Sequence, residues 1–178
     1  MRYSPLRLRH EFNLGGARSL GGQDFVTSHQ LSGTYRFHLT DRWNLALSGN
    51  YITTGLTPAA ERLIAVEQVF PDVAYALYQA DFLVGFNLFY GKIRLSLDTA
   101  LYFDPYLALG GGVIWLNRGR VGAGTLDAGI AFWTGKSTSV RLGVKDSVYQ
   151  EERRLSKSIV QNITGHLEVG ILFGGEGT

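Results

Sequence analysis

The side chains best suited to acid–base work or metal binding in this sequence are four histidines, His10, His29, His38 and His166. They are dispersed along the chain, with no pair at the spacing a metal site uses. Cysteine is absent, which excludes thiolate zinc sites, disulfides, c-type haem attachment and a cysteine nucleophile. A hydroxyl–imidazole nucleophile has two faint echoes, His38–Leu39–Thr40 and Ser28–His29. In a strand the second would put its two residues on opposite faces. Neither has a carboxylate at a spacing that would orient the imidazole. The glycine motifs Gly110–Gly111–Gly112 and Gly122–Ala123–Gly124 lack the following helix of a phosphate cradle, so close approach between backbones is their expected role. No catalytic residue, metal site or cofactor is expected.

The charges carry a different message. The 178 residues include 17 basic and 15 acidic ones, a formal charge of +2, and no basic cluster dense enough for nucleic acid. Charged residues make up 18% of the chain, below the roughly 25% of a soluble domain. Hydrophobic residues make up 45% and aromatics 12%, which excludes disorder. No apolar run reaches the roughly 20 residues of a membrane-spanning helix. The first ten residues are basic without an apolar stretch and do not read as a signal peptide.

The elements that position these charges are strands, because period-two alternation recurs in segment after segment. Leu6, Leu8, Phe12 and Leu14 alternate with Arg7, Arg9, Glu11 and Asn13, and Leu31 to Leu39 alternate with Gln30 to His38. Further runs are expected around 43–51, 89–103, 107–115, 126–132, 140–148 and 163–173, eight strands in all. Short turns are expected at 40–42, 103–105 and 135–137, and longer connections at 17–25, 55–87, 117–121 and 150–158. Short turns at one end and longer loops at the other are the pattern of a membrane barrel. An even strand count leaves both termini at one end.

The two faces decide what kind of barrel this is. One carries nearly all the Leu, Ile, Val, Phe and Trp. The other carries Gly, Ala, Ser, Thr and Asn with charges of both signs: Arg7, Arg9, Glu11, Arg36, Lys92, Arg94, Asp98, Asp127, Arg141, Lys145 and Glu168. Eight strands enclose a lumen just wide enough to be filled by side chains, and buried charges need partners. These residues are therefore expected to form a lumen charge network that plugs the barrel, with the apolar face on lipid. Trp43, Phe103, Trp115 and Phe173 are expected at the membrane interfaces. A soluble barrel with an apolar lumen is the alternative reading of the same alternation.

The 55–87 connection breaks the pattern. Thr57 followed by Pro58 reads as a helix cap with Pro at the first helical position; Leu63, Val66 and Phe70 share one helical face, and Pro71 ends it. Residues 72–87 are ambiguous between a second helix and an extension of the fourth strand; as strands of their own they would bring the count to ten. So long and apolar a connection is expected to cap the barrel or dock a partner. Leu63, Val66, Phe70, Tyr75 and Tyr78 are its contact residues.

Several segments resemble a known family: Tyr90–Gly91–Lys92, then Tyr102–Phe103–Asp104–Pro105–Tyr106 through Val113, then Val121–Gly122–Ala123–Gly124 and Val140–Arg141–Leu142–Gly143–Val144–Lys145–Asp146. Together they resemble the small outer-membrane β-barrels of the OmpA/OmpX/OmpW type, and most of all the barrel domain found in myxobacteria and related Gram-negative lineages. Glu168–Phe173 is similar to the terminal signal read by the barrel-insertion machinery, with Gly174–Thr178 following it. The expected architecture is all-β: one domain over 1–178, an eight-stranded antiparallel up-and-down transmembrane barrel with a long, partly helical third connection. The resemblance implies the bacterial outer membrane, periplasmic termini, and lipid and lipopolysaccharide as neighbours. The expected role is non-enzymatic: an anchor or scaffold with protein partners in an envelope-spanning assembly. A narrow channel or carrier for small apolar molecules, or a lipid A-modifying enzyme, are the alternatives.

Overall fold

The computed structural model describes residues 5–21, 25–67, 74–94, 96, 100–152 and 157–174. Among these residues nine antiparallel strands follow in sequence: β1 (Arg9–Gly21), β2 (Val26–His38), β3 (Trp43–Leu56), β4 (Ala76–Asn87), β5 (Gly91–Arg94), β6 (Ala100–Leu116), β7 (Gly119–Trp133), β8 (Thr138–Glu152) and β9 (Lys157–Phe173). Their order is β4-β3-β2-β1-β9-β8-β7-β6-β5, and a β4–β6 pairing closes the ring. Eight strands therefore form the wall, and the short β5 stands outside it. At 12 to 17 residues each, the wall strands exceed the roughly 9–11 residues a tilted strand needs to cross a bilayer.

Alternation explains the closure. Along β2, Ser28, Gln30, Ser32, Thr34, Arg36 and His38 are buried, while His29, Leu31 and Tyr35 face outward. The pattern recurs around the ring, so that among the described residues buried polar side chains outnumber buried apolar ones. The outside is aliphatic, with Leu31 and Leu109 each 65% exposed. This reverses the arrangement of a water-soluble barrel. Water outside would meet an apolar surface, and the polar lumen would be enclosed.

Four expectations need correction. The strand expected over 89–103, with a turn at 103–105, is replaced by two different elements. Residues 76–87, in the stretch of the long connection that reads as either a second helix or an extension of the fourth strand, form the fourth wall strand, and β6 runs unbroken through Phe103–Asp104–Pro105. The Pro105 carbonyl accepts from Leu88 N–H at 2.8 Å. The imino nitrogen of that residue thus faces the gap between the end of β4 and the start of β5, where its missing donor breaks no ladder. The 55–87 connection accordingly shrinks to 57–75. It keeps its expected start: Thr57 Oγ1 accepts from Ala60 N–H at 3.3 Å, Pro58 opens helix α1 (Pro58–Arg62), and a π-helical turn follows over Leu63–Glu67. Pro71 lies outside the described residues.

The connection expected over 117–121 is a tight turn at 117–118, followed by Gly119 at φ +142°, a backbone that only glycine adopts readily. Lastly, Leu6 does not continue the outer face of β1. Leu8 sits at φ +56°, unusual for a residue with a Cβ. This kink swings Leu6 into the barrel mouth, where its N–H donates to Asp41 Oδ1 at 2.7 Å. Both described chain ends lie at the same end of the barrel, since His10 pairs with Phe173. That end also holds the 39–42 and 134–137 turns, and is called the terminal end below. The opposite, loop end holds 57–75 and the 117–118 turn.

Candidate functional site

The lumen is a stack of layers, built because every second residue of each strand must point inward. At the terminal end, Leu6, Tyr106, Ala131, Trp133 and Leu172 form an apolar layer, with Tyr102 packed against it. Trp133 Nε1 donates to Asp104 Oδ2 at 2.7 Å. Above lies fully buried Glu11, which takes four bonds. Arg141 Nε reaches Oε1 at 2.9 Å and Nη2 reaches Oε2 at 2.7 Å; Ser139 Oγ donates at 2.6 Å and His38 Nε2 at 2.8 Å. The two-pronged guanidinium–carboxylate geometry is the strong form of such a pair.

Tyr106 links this layer to the next. The Arg141 and Arg36 guanidinium carbons lie 5.2 Å and 5.6 Å from its ring centroid, within cation–π range. Its hydroxyl shares a 3.1 Å hydrogen bond with His166 Nε2, which is 3.7 Å from Asp127 Oδ1. Thr34 Oγ1 donates to Glu168 at 3.1 Å. Nearer the loop end, Asp81 collects Gln79 Nε2 at 2.9 Å, Thr125 Oγ1 at 3.0 Å, Ser48 Oγ at 3.3 Å and Lys145 Nζ at 3.8 Å. A second apolar layer of Ala74, Ile114, Leu116, Tyr149 and Val160 closes the stack there. The charged middle is thus bracketed by two apolar layers.

Of the charges read as lumenal, the structure brings together Glu11, Arg36, Asp127, Arg141, Lys145 and Glu168. Arg9 is at the terminal rim, half-buried, its Nη1 donating to Lys136 O at 3.0 Å. Arg7 is a correction: it precedes β1 and is exposed, displaced by the kink at Leu8. Lys92 and Arg94 are corrections too. They belong to the β5–β6 hairpin, which extends past the rim with one neighbouring strand instead of two, and both are exposed. Lys92 Nζ sits 5.4 Å from the Tyr102 ring centroid, with Tyr102 stacked on Tyr90 at 5.7 Å. Asp98 lies outside the described residues.

The contact residues also divide. Leu63 is half-buried and Val66 is 78% exposed on the π-helical turn. Tyr75 ties the connection down: its carbonyl accepts from Asn117 N–H at 2.9 Å and its N–H donates to Asn117 Oδ1 at 3.1 Å. Tyr78 is not in the loop but on the outer wall of β4, 5.5 Å from Tyr51. Phe70 lies outside the described residues.

The aromatics gather toward the two ends of the outer wall. Trp43 meets Phe86 at 4.7 Å, Phe103 lies between Phe89 and Phe132, and Phe173 stacks on His10 at 5.6 Å, all toward the terminal end. Trp115, Tyr51 and Tyr78 lie toward the loop end. From Trp43 to Tyr51 along β3, eight steps of about 3.3 Å tilted by about 40° give about 20 Å of height, close to the roughly 25 Å apolar band of such barrels.

Sequence reasoning missed Asp81, Asp104, Tyr106, Trp133 and His38 as lumen partners. Asp81 was legible: Gln79, Asp81, Gly85 and Asn87 alternate with Tyr78, Ala80, Phe82, Val84 and Phe86. His29 points outward and Ser28 inward, so that echo of a nucleophile pair is split by the wall. Among the described residues no group of three His, Asp or Glu is placed to hold a metal ion.

This is the fold of the small eight-stranded outer-membrane barrels. The N-terminal β-barrel domain of Pseudomonas aeruginosa OprF superposes with a TM-score of 0.57 at 14% identity, covering 94% of this chain and 98% of that one. The outer membrane protein OprG of Pseudomonas aeruginosa gives 0.58 at 11% identity, covering 97% and 99%. No family model matches the chain and no curated protein is similar to it. The likeness is therefore one of architecture.

Proposed function

We propose that the protein is a non-enzymatic integral barrel of the bacterial outer membrane, serving as an anchor or scaffold within an envelope assembly. The observation that carries this reading is the filled lumen, whose ion pairs lie between two apolar layers. Such a barrel offers rigidity rather than passage, and its contacts come from what it displays outside the membrane. The 57–75 connection is the leading surface, because its residues 58–67 are helical, carry Val66 into solvent, and Tyr75 is pinned to the 117–118 turn. Fold alone does not fix function, so the reading rests on these features of this chain.

Two measurements test it. Reconstituted in planar bilayers, the barrel should give no unitary conductance. Purified from the outer membrane in mild detergent, it should bring partners in fixed stoichiometry, and these should vanish when 57–75 is shortened to a tight turn. Regular conductance steps, or a barrel isolated alone in both forms, would sink the scaffold reading and favour the narrow channel.

The cysteine-free sequence also makes orientation testable. With the termini periplasmic, Arg118→Cys should react with an impermeant maleimide on intact cells, whereas Lys136→Cys should react only after the outer membrane is opened. The reverse labelling would invert the barrel.

A further inference from the structure

The outer wall is not a uniform cylinder. A groove of about 860 Å³ crosses the outer faces of β2, β1, β9, β8 and β7, floored by small residues including Gly16, Gly165 and Ala128. Its sides are Leu20, Val144, Leu142 and Leu167, all outward and exposed. Leu20 leans over the floor: a Cβ on Gly165 would stand 3.1 Å from its Cδ1. Five strands at about 4.8 Å spacing give the groove about 19 Å of length, on the scale of one extended acyl chain.

The register gives this groove a direction. Cross-strand partners run from Ala128 to Val144, Gly165, Arg18 and His29. Ala128 lies toward the terminal end of β7, and Gly165 is midway along β9. Arg18 and His29 are each three residues from the loop end of their strands. The groove therefore climbs from mid-wall to the loop-end interface, and its upper end is a guanidinium beside an imidazole on the outer surface. Among the described residues no carboxylate is bonded to either. An unpaired arginine facing hydrocarbon is costly; one at the interface beside an anionic headgroup is not.

We propose that this groove is a lipid A site, with one acyl chain along Gly165 and a glucosamine phosphate on Arg18 and His29. The argument is charge complementarity at a fixed depth. Arginine pairs with phosphate through parallel N–H bonds, and the imidazole can add a further N–H. The zwitterionic phosphatidylethanolamine brings its own ammonium, which these two donors would not welcome. The proposal rests on the outer-membrane reading with the loop end outward, since lipid A belongs to that leaflet.

The test is native mass spectrometry of the full chain released from detergent, with lipid A, phosphatidylethanolamine, phosphatidylglycerol or inorganic phosphate added singly. The wild type should retain one lipid A, and Arg18→Ala/His29→Gln should lower that retention by about tenfold or more, as loss of a charge-assisted phosphate contact implies. Gly165→Val, which fills the groove and keeps both cations in the chain, should weaken lipid A retention as well. Heat-modifiable gel mobility checks that each variant is folded. Equal retention of either phospholipid, wild-type retention by the double variant, or binding of inorganic phosphate as tight as that of lipid A would each overturn the proposal. Conductance would overturn the scaffold reading without touching this result.

Discussion

Glu11→Ala is expected to destabilise the barrel by about 3–5 kcal/mol, the usual cost of leaving a buried charge without its partner. The reason lies in what converges on that carboxylate: both prongs of Arg141, the His38 imidazole and the Ser139 hydroxyl, at 2.6 to 2.9 Å. Arg141 is itself 1% exposed, so it cannot reach water when its partner is removed. Urea titration of folding into lipid vesicles, read by gel mobility with and without heating, measures the loss. The double variant Glu11→Leu/Arg141→Met should recover most of it, because apolar residues of similar volume often replace a buried pair at little cost. A single substitution costing under about 1 kcal/mol, in the range of an exposed pair, would show that the pair is solvated and the plug open.

The same carboxylate shows how far a sequence can be read. Glu11 is legible because alternation in β1 is regular, and a charge on the face opposite Phe12 and Leu14 must face either lumen or water. What periodicity does not supply is the partner. Arg141 lies 130 positions away, and only the β1–β9–β8 order brings it across: Asn13 pairs with Gly170, and Gly170 with Ser139. Membership of the lumen face is a local property of a strand, whereas pairing depends on the stagger of eight strands at once.

The failures have local causes. Phe103–Asp104–Pro105 carries turn chemistry, and nothing nearby reveals that the strand beside it changes from β4 to β5 there. Only that exchange lets a proline sit inside a 17-residue strand. Lys92 and Arg94 kept their expected alternation, but alternation does not report where a barrel ends. Arg7 was misplaced by one backbone angle, at Leu8. Asp81 had the opposite problem: its alternation was present, in a stretch that read equally as a second helix.

Glycine spacing is where the sequence and the barrel's geometry meet most directly, and it yields the second large effect. Gly112→Ala is expected to cost about 1–3 kcal/mol, the usual range for forcing a methyl into a packed site, and more if Asp81 loses its bonds. A Cβ on Gly112 would strike the Ala80 carbonyl oxygen, with Asp81 Oδ1 at 2.6 Å and Asp81 Cα at 2.8 Å. Two of these three obstacles are backbone and cannot turn aside. Gly110 meets the same wall, at the Phe82 carbonyl and Leu83 Cα, so the β4–β6 ladder is held at a separation that no inward side chain of β6 at these positions permits. Displacing Asp81 would also loosen Gln79, Thr125, Ser48 and Lys145 together. Gly124→Ala is the matched control: it faces outward with nothing within 4 Å of its Cβ, and it should be neutral or stabilise slightly, since glycine inside a strand costs about 0.5–1 kcal/mol relative to alanine. The same vesicle-folding titration reads both variants. Equal costs for Gly112→Ala and Gly124→Ala would mean that strand conformation, not contact across the β4–β6 ladder, requires glycine in this segment, and the close-approach account would fall.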